Sequence, residues 1–183
     1  MRLIDVLREW STTRNLILSV VFSMVLIGIL GYGTQVLVYG VYGNYTMPDT
    51  RFSYTFEEIQ AVFDGLGANG LQAWSMIHLL DYLFPLFYMF AMVFGITLEL
   101  RKLKYYDRFN KILLIPIFGC IMDYIENILV QTQVFTYPNI SSLVIALASY
   151  VTSLKWIFLG LAFAVIIVLL FQIIYQRHSA EPE

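Results

Sequence analysis

Four long apolar stretches divide the chain, over about residues 15–41, 71–100, 111–134 and 142–175. Each exceeds the roughly 20 residues that a helix rising 1.5 Å per residue needs to cross a hydrocarbon core of about 30 Å. The pattern predicts an all-α integral membrane protein, a four-transmembrane-helix bundle forming one membrane domain over residues 1–183. Stretch 15–41 is longer than the apolar core of about 7–15 residues in a cleavable signal peptide, and no small-residue cleavage pattern follows it.

The segments between the spans carry their own patterns. Within residues 1–13, MRLIDVLREW places Leu3, Leu7 and Trp10 on one helical face with the charges elsewhere, predicting an interfacial helix on the cytoplasmic surface. In the 42–70 segment, Thr55-Phe-Glu-Glu58 has capping-box spacing and Gly65 supplies a stop. A short amphipathic helix over 56–64 follows, with Phe56, Ile59 and Phe63 resting on the bundle or the headgroup region. Residues 101–110 and 135–141 close the remaining connections, and 176–183 form a tail.

Composition agrees with this pattern. Apolar residues make up 59% and charged residues 13%, against about 45–50% and 25% in soluble domains; mean hydropathy is +0.72. A soluble globular domain, a disordered chain and a nucleic-acid partner are excluded. The single cysteine, Cys120, permits no intrachain disulfide and reads as core packing.

Charge orients the bundle. Arg2, Arg8 and Arg14 precede the first span, Arg101, Lys102, Lys104, Arg108 and Lys111 lie between the second and third, and Arg177 follows the fourth. The other two loops hold Arg51 alone, beside Asp49, Glu57, Glu58 and Asp64. The positive-inside rule then places both termini in the cytoplasm of a multi-pass plasma-membrane protein, with 42–70 and 135–141 outside. Asn44-Tyr-Thr46 and Asn139-Ile-Ser141 match the glycosylation triplet on those outer loops; the sequence leaves their modification open.

Ionisable residues inside apolar spans each need a reason, because they are expensive there. They are His78 and Asp81 in the second span, Asp123 and Glu126 in the third and Lys155 in the fourth, accompanied by Asn127, Gln131 and Thr152. Counted along the helices, the groups fall in or just above the outer half of the bilayer, Asp123 deepest and His78 shallowest. Helical phase puts Trp74, His78, Asp81, Pro85, Tyr88 and Met92 on one stripe, and Pro116, Cys120, Asp123, Asn127 and Gln131 on another with Glu126 at its flank. Thr152 and Lys155 share a face. Pro85 cannot donate to the carbonyl of Asp81, which is left free beside its own carboxylate.

Three carboxylates thus face one lysine and one histidine. Glu126 or Asp81 is the natural partner of Lys155, and such a pair can serve only to fix helix register. The surplus carboxylate must be protonated, bound to a cation or wet. Tyr82, Tyr88 and Tyr124 read as packing or interface residues. Ser149, Ser153, Gly160 and Ala164 form a small-residue ridge suited to close helix contact and homo-oligomer assembly. Leu80-Asp-Tyr-Leu83 and Met122-Asp-Tyr-Ile125, on oppositely running helices, suggest an inverted pair around a shared site.

The set Asp81, Phe84-Pro85 and Tyr88, then Asp123 and Glu126-Asn127, then Lys155-Trp156, resembles a family of small four-span membrane proteins from bacteria and archaea. The resemblance covers the last three spans and implies topology; the family carries no assigned activity. The architecture is also similar to that of lipoprotein signal peptidases, four-span enzymes with two outer aspartates, but their Asn-rich blocks are missing.

Three readings follow. The first is a non-catalytic structural, lipid-headgroup-binding or subunit-binding role for the polar cluster His78, Asp81, Asp123, Glu126, Asn127 and Lys155. The second is an intramembrane enzyme with Asp81 and Asp123 as an acid–base pair acting on a lipid-linked or peptide substrate. In a metal variant, His78, Asp81, Asp123 and Glu126 would favour Mg, Mn or Ca over Zn. The third, proton or cation movement, lacks a polar path below Asp123 apart from Tyr88 and Thr97. No cofactor is named by the sequence.

Overall fold

The computed structural model describes residues 3–179; Met1, Arg2 and tail residues 180–183 lie outside the described residues, as do the side chains of Leu3, Tyr106 and Asp107. Helix α1 (Leu3–Trp10) is tied to the rest by its apolar face and its end. Ile4 and Leu7 pack into the core, while Trp10 is 56% exposed. Leu7 is thus held by the protein, and Trp10 is left open to the surroundings. Arg101 donates to the carbonyls of Ser11 (2.8 Å) and Arg8, fastening the end of α1 to the far end of the second span.

Helix α2 (Thr13–Gly33) starts at Thr12, whose side chain accepts from the Asn15 amide. It continues into a wider-turned stretch, Thr34–Tyr39, with π-type bonding, and a last turn, Gly40–Tyr42. Helix α3 (Phe56–Asp81) opens with the capping box at Thr55 and Glu58 formed in both directions, at 3.2 and 2.8 Å. Ile59 and Phe63 are fully buried. Gly65 does not stop this helix. Its bare Cα lies against the Tyr45 ring, and an added Cβ would come within 2.4 Å of it. The interruption falls at Gly67, with φ 61° and ψ −179°, a region essentially restricted to glycine. The helix then resumes into the apolar stretch.

The second span is broken as well. After Asp81 the chain turns through Tyr82 and Leu83, and α4 (Phe84–Lys102) begins with Pro85 in its first turn, where a missing N–H costs no helical bond. After a short turn of helix at Tyr106–Phe109 and a 3-10 turn at Asn110–Leu113, α5 (Leu114–Thr136) returns and α6 (Ser142–His178) completes the chain. There is no strand among the described residues.

Helix α5 packs along α6, α4 packs on α2, α5 and α6, and α3 lies against α5 and the upper part of α2. Gly119 lets α5 approach α6, because a Cβ there would meet Phe158 Cβ at 3.4 Å. Among the described residues, four helical segments are long and apolar enough to cross a membrane. The outer faces of α2 and α6 are apolar and exposed, as at Met24 (67%) and Phe163 (56%), which suits lipid and not water. The chain is a multi-pass helical membrane protein. Below, the "loop end" of the bundle is the end carrying residues 43–55 and 137–141, and the "terminal end" is the opposite one.

Two apolar cores stack along the bundle. One, at the loop end, contains Trp74, Ile77, Val130, Ile145 and Ala148. The other, toward the terminal end, contains Tyr88, Met92, Cys120, Ala162 and Leu169. On each contributing element the ionisable residues lie between members of the two cores: Asp81 between Ile77 and Tyr88, Asp123 and Glu126 between Cys120 and Val130, Lys155 between Ala148 and Ala162.

Candidate functional site: a polar cavity between two apolar cores

At this junction the helices enclose a cavity of about 390 Å³. Ile27, Leu30, Gly31 and Thr34 of α2 form one wall, and Lys155, Trp156 and Leu159 of α6 the opposite one. Trp74, His78 and Asp81 enter from the end of α3, Phe84 and Tyr88 from the start of α4, and Asp123 from α5. The break between α3 and α4 lets the last turn of one helix and the first turn of the next both face the space. The π-type stretch of α2 contributes Thr34 and Tyr39; such wider turns recur at functional sites.

The charged groups fall into two bonded sets that line the same cavity. Lys155 Nζ contacts Glu126 Oε2 and lies 3.7 Å from Asp123 Oδ1, so of the two partners expected for this lysine it is Glu126, not Asp81, that takes it. Glu126 is 0% exposed. Lys155 also donates to the Asp49 carbonyl at 3.3 Å. Asp123 Oδ2 accepts from the Tyr88 hydroxyl at 2.9 Å, so Tyr88 holds a carboxylate and is more than packing.

Asp81 belongs to a second branch. Its Oδ2 accepts from Asn127 Nδ2 at 3.3 Å and lies 3.9 Å from His78 Nε2. His78 stacks on Trp74, ring centroids 4.2 Å apart, and its two nitrogens face Gln131 Oε1 (3.0 Å) and Asn127 Oδ1 (3.3 Å). Gln131 in turn donates to Ser75 Oγ at 2.7 Å. Asp81 and Asp123 line the same cavity, yet each spends its hydrogen bond on a different partner and none joins the two. Among the described residues no group of three or more His, Cys, Asp and Glu can hold a metal ion. The four metal candidates divide into two pairs, His78 and Asp81 sharing Asn127, and Asp123 and Glu126 sharing Lys155.

The Asp-Tyr pairs of the two helices meet. Tyr124 donates to the carbonyl of Tyr82 at 2.8 Å, and their rings lie 6.4 Å apart. The carbonyl that gains this donor is therefore that of Tyr82, one residue beyond the one Pro85 was expected to free. The two pairs differ locally, since α3 ends just before Tyr82 whereas α5 runs through Tyr124.

A strap from the first loop is fastened to α6 beside the cavity. Trp156 Nε1 donates to Arg51 O (2.8 Å), Ser153 Oγ to Phe52 O (2.9 Å), and the Tyr54 amide donates to Ser149 Oγ (2.9 Å). Tyr54 OH and Thr152 Oγ1 are 3.2 Å apart, and burial raises the phenol above its ordinary range, keeping it protonated. Ser149 and Ser153 of the small-residue ridge thus serve the strap. Gly160 meets nothing within 4 Å of a Cβ, and Ala164 is exposed, so the ridge does not continue as a packed seam within the chain.

The strap brings in Asp49, which sequence reasoning had counted only as loop charge. It lines the cavity, and its Oδ1 is buried without a hydrogen-bond partner. No periodicity could have found it, because it stands in a short 3-10 turn, Pro48–Thr50. Asn44 and Asn139 are both exposed. Comparison with protein-family models, curated proteins and solved structures returns no match to this chain.

Proposed function

We propose that the protein is a membrane-embedded binding protein that takes the polar head of a lipid-soluble ligand into the cavity between its two cores. The observation that carries this reading is a 390 Å³ space lined both by the charged groups Asp81, Asp123 and Lys155 and by the aliphatic side chains Ile27, Leu30 and Leu159. Small-molecule sites commonly measure about 300–1,000 Å³, with few polar groups in a largely apolar lining. A purely structural ion cluster would be closed on itself. Here the charged side chains face space, and a helix break stands at the site, as at binding sites built on discontinuous transmembrane helices. The apolar rim supports entry from the bilayer: Ile27 lines the cavity and is itself exposed on the outer face of α2.

The motif positions that carry the family resemblance supply Asp81, Phe84, Tyr88, Asp123, Lys155 and Trp156 to the lining, so we read that motif as a binding signature. We further propose that the terminal end is cytoplasmic in the plasma membrane, as its basic residues indicate. The cavity then lies in the outer half.

An acid–base role for Asp81 and Asp123 is the second reading, favoured by their shared cavity. It ranks below binding because a proton-sharing pair needs hydrogen-bond reach, and each carboxylate is bonded elsewhere.

Native mass spectrometry on protein extracted gently from membranes tests the binding reading. Gly31 lines the cavity with nothing within 4 Å of a Cβ, so Gly31→Phe starts without a clash at its Cβ, adds bulk to the wall and leaves every charged residue in place. The wild type should carry a bound small molecule that Gly31→Phe lacks, with similar thermal unfolding of both. Identical adducts on both proteins, or none on the wild type, would contradict it.

A further inference from the structure

The charges around the cavity do not balance. Asp49, Asp81 and Asp123 line it and Glu126 stands behind Lys155, four carboxylates in all. Against them are Lys155 and, when both ring nitrogens carry protons, His78, two cations at most. At least two carboxylates have no protein cation to neutralise them.

The unpaired oxygens are identifiable. Asp81 is 9% exposed and lines the cavity, and its Oδ1 makes no hydrogen bond or ion pair with any described residue. Asp49 Oδ1 and Glu126 Oε1 are buried without a hydrogen-bond donor. A polar atom without a partner calls for an explanation; the Asp49 and Asp81 oxygens belong to residues that line the cavity, and an ionised carboxylate can only accept.

Aromatic rings stand beside the aliphatic lining. Tyr39, Trp74, Phe84, Tyr88 and Trp156 line the same space. Ring faces carry the negative lobe of the aromatic quadrupole and attract cations, the chemistry by which aromatic cages hold ammonium groups. Trp156 already does this within the chain, with Lys155 Nζ 5.4 Å from its ring centroid. An anionic head would face three carboxylates, with the one lining lysine already held by Glu126, Asp123 and a backbone carbonyl.

We propose that the cavity recognises an ammonium group borne on an apolar tail, with Asp81 as the principal anionic contact and Trp74, Phe84 and Trp156 as ring contacts. This rests on the ligand-binding reading and specifies its ligand class. The ammonium has two sources, an amphiphilic amine or the choline or ethanolamine end of a zwitterionic lipid, and the cavity chemistry is the same for both.

The test uses the full chain in neutral maltoside detergent, with Trp10→Phe so that fluorescence reports Trp74 and Trp156. Four probes are titrated: hexyltrimethylammonium, hexyl sulfate, hexanol and dihexanoyl phosphatidylcholine. The expected result is binding of hexyltrimethylammonium about tenfold or more tighter than hexyl sulfate and hexanol, with the preference lost in Asp81→Asn. Asp49→Asn, a loop substitution, is a second variant and should weaken the preference too. Binding of the phosphatidylcholine as well assigns the ammonium to a lipid; binding of the amine alone assigns it to an amphiphilic amine. Either supports the proposal. Equal or tighter binding of the sulfate or the alcohol would overturn the ammonium assignment and leave the cavity reading intact. Binding of no probe would overturn both.

Discussion

Lys155 is the residue on which the most depends. It contacts Glu126, which has no access to solvent, and reaches Asp123 as well. Removing one partner of a buried pair strands the other charge, at about 3–5 kcal/mol, whereas removing both can be nearly neutral. Lys155→Met should therefore lower the thermal unfolding temperature sharply, and Lys155→Met with Glu126→Gln should recover much of the loss in the same assay. Equal losses would show that the pair is not coupled. Tyr88→Phe should cost about 1–3 kcal/mol, because Asp123 Oδ2 loses its hydroxyl donor in a buried setting. Asp81→Asn, by contrast, keeps the side-chain volume, and its folding cost should be smaller than that of Lys155→Met. At this scale the sequence named most of the site. His78, Asp81, Asp123, Glu126, Asn127 and Lys155 were marked by the expense of polar groups in apolar spans, and all six meet at one junction. Asp49 was out of reach because loops have no period, and Tyr88 because a tyrosine on a helix stripe looks the same whether its hydroxyl is bonded or not.

Elements divide along the same line between local and non-local causes. The four spans and the capping box are written in nearest-neighbour pattern, and both kinds of feature are seen in the structure. The interruptions are less legible. Gly65 and Gly67 are chemically identical, and their roles separate only when Tyr45 arrives over Gly65 from the preceding loop. Pro85 announced a disturbance in the second span, but the break sits two residues earlier because proline prefers the first turn of a new helix. Gly67→Ala should cost about 1–3 kcal/mol, although nothing lies within 4 Å of the added methyl; Gly28→Ala, equally uncrowded but with no left-handed backbone angle, should be neutral or stabilising by thermal unfolding. An unchanged Gly67→Ala would mean that the kink is not required. The strap makes a separate prediction. Trp156→Phe removes the donor to Arg51 O, so trypsin should cut after Arg51 faster than in the wild type, while cleavage after Arg177 is unaltered. Equal rates after Arg51 would place the hold on the strap elsewhere.

At the scale of the whole molecule, two apolar cores separated by a charged layer explain how a small chain can keep a cavity inside a membrane domain. The cores are two separate clusters, and the helices that join them are long enough for both. The charged layer between is anchored by Lys155, Tyr88 and Asn127, so the space there need not collapse when the cores close. Orientation is carried by basic residues alone. In a Cys120→Ala background, single cysteines placed at residues 104 and 139 should label from opposite sides of intact cells, with 139 reactive from outside; the reverse pattern would invert the site to the inner half.

The central claim is that the cavity holds the head of a membrane-soluble ligand, and an experimental structure of the protein extracted with its native lipids tests it most directly. The account predicts non-protein density bounded by Asp81, Asp123 and Trp156, its polar end at Asp81 Oδ1 and its tail passing Ile27 toward the bilayer. A cavity closed by inward movement of α2, with Asp81 paired to Lys155 and nothing between them, would contradict it.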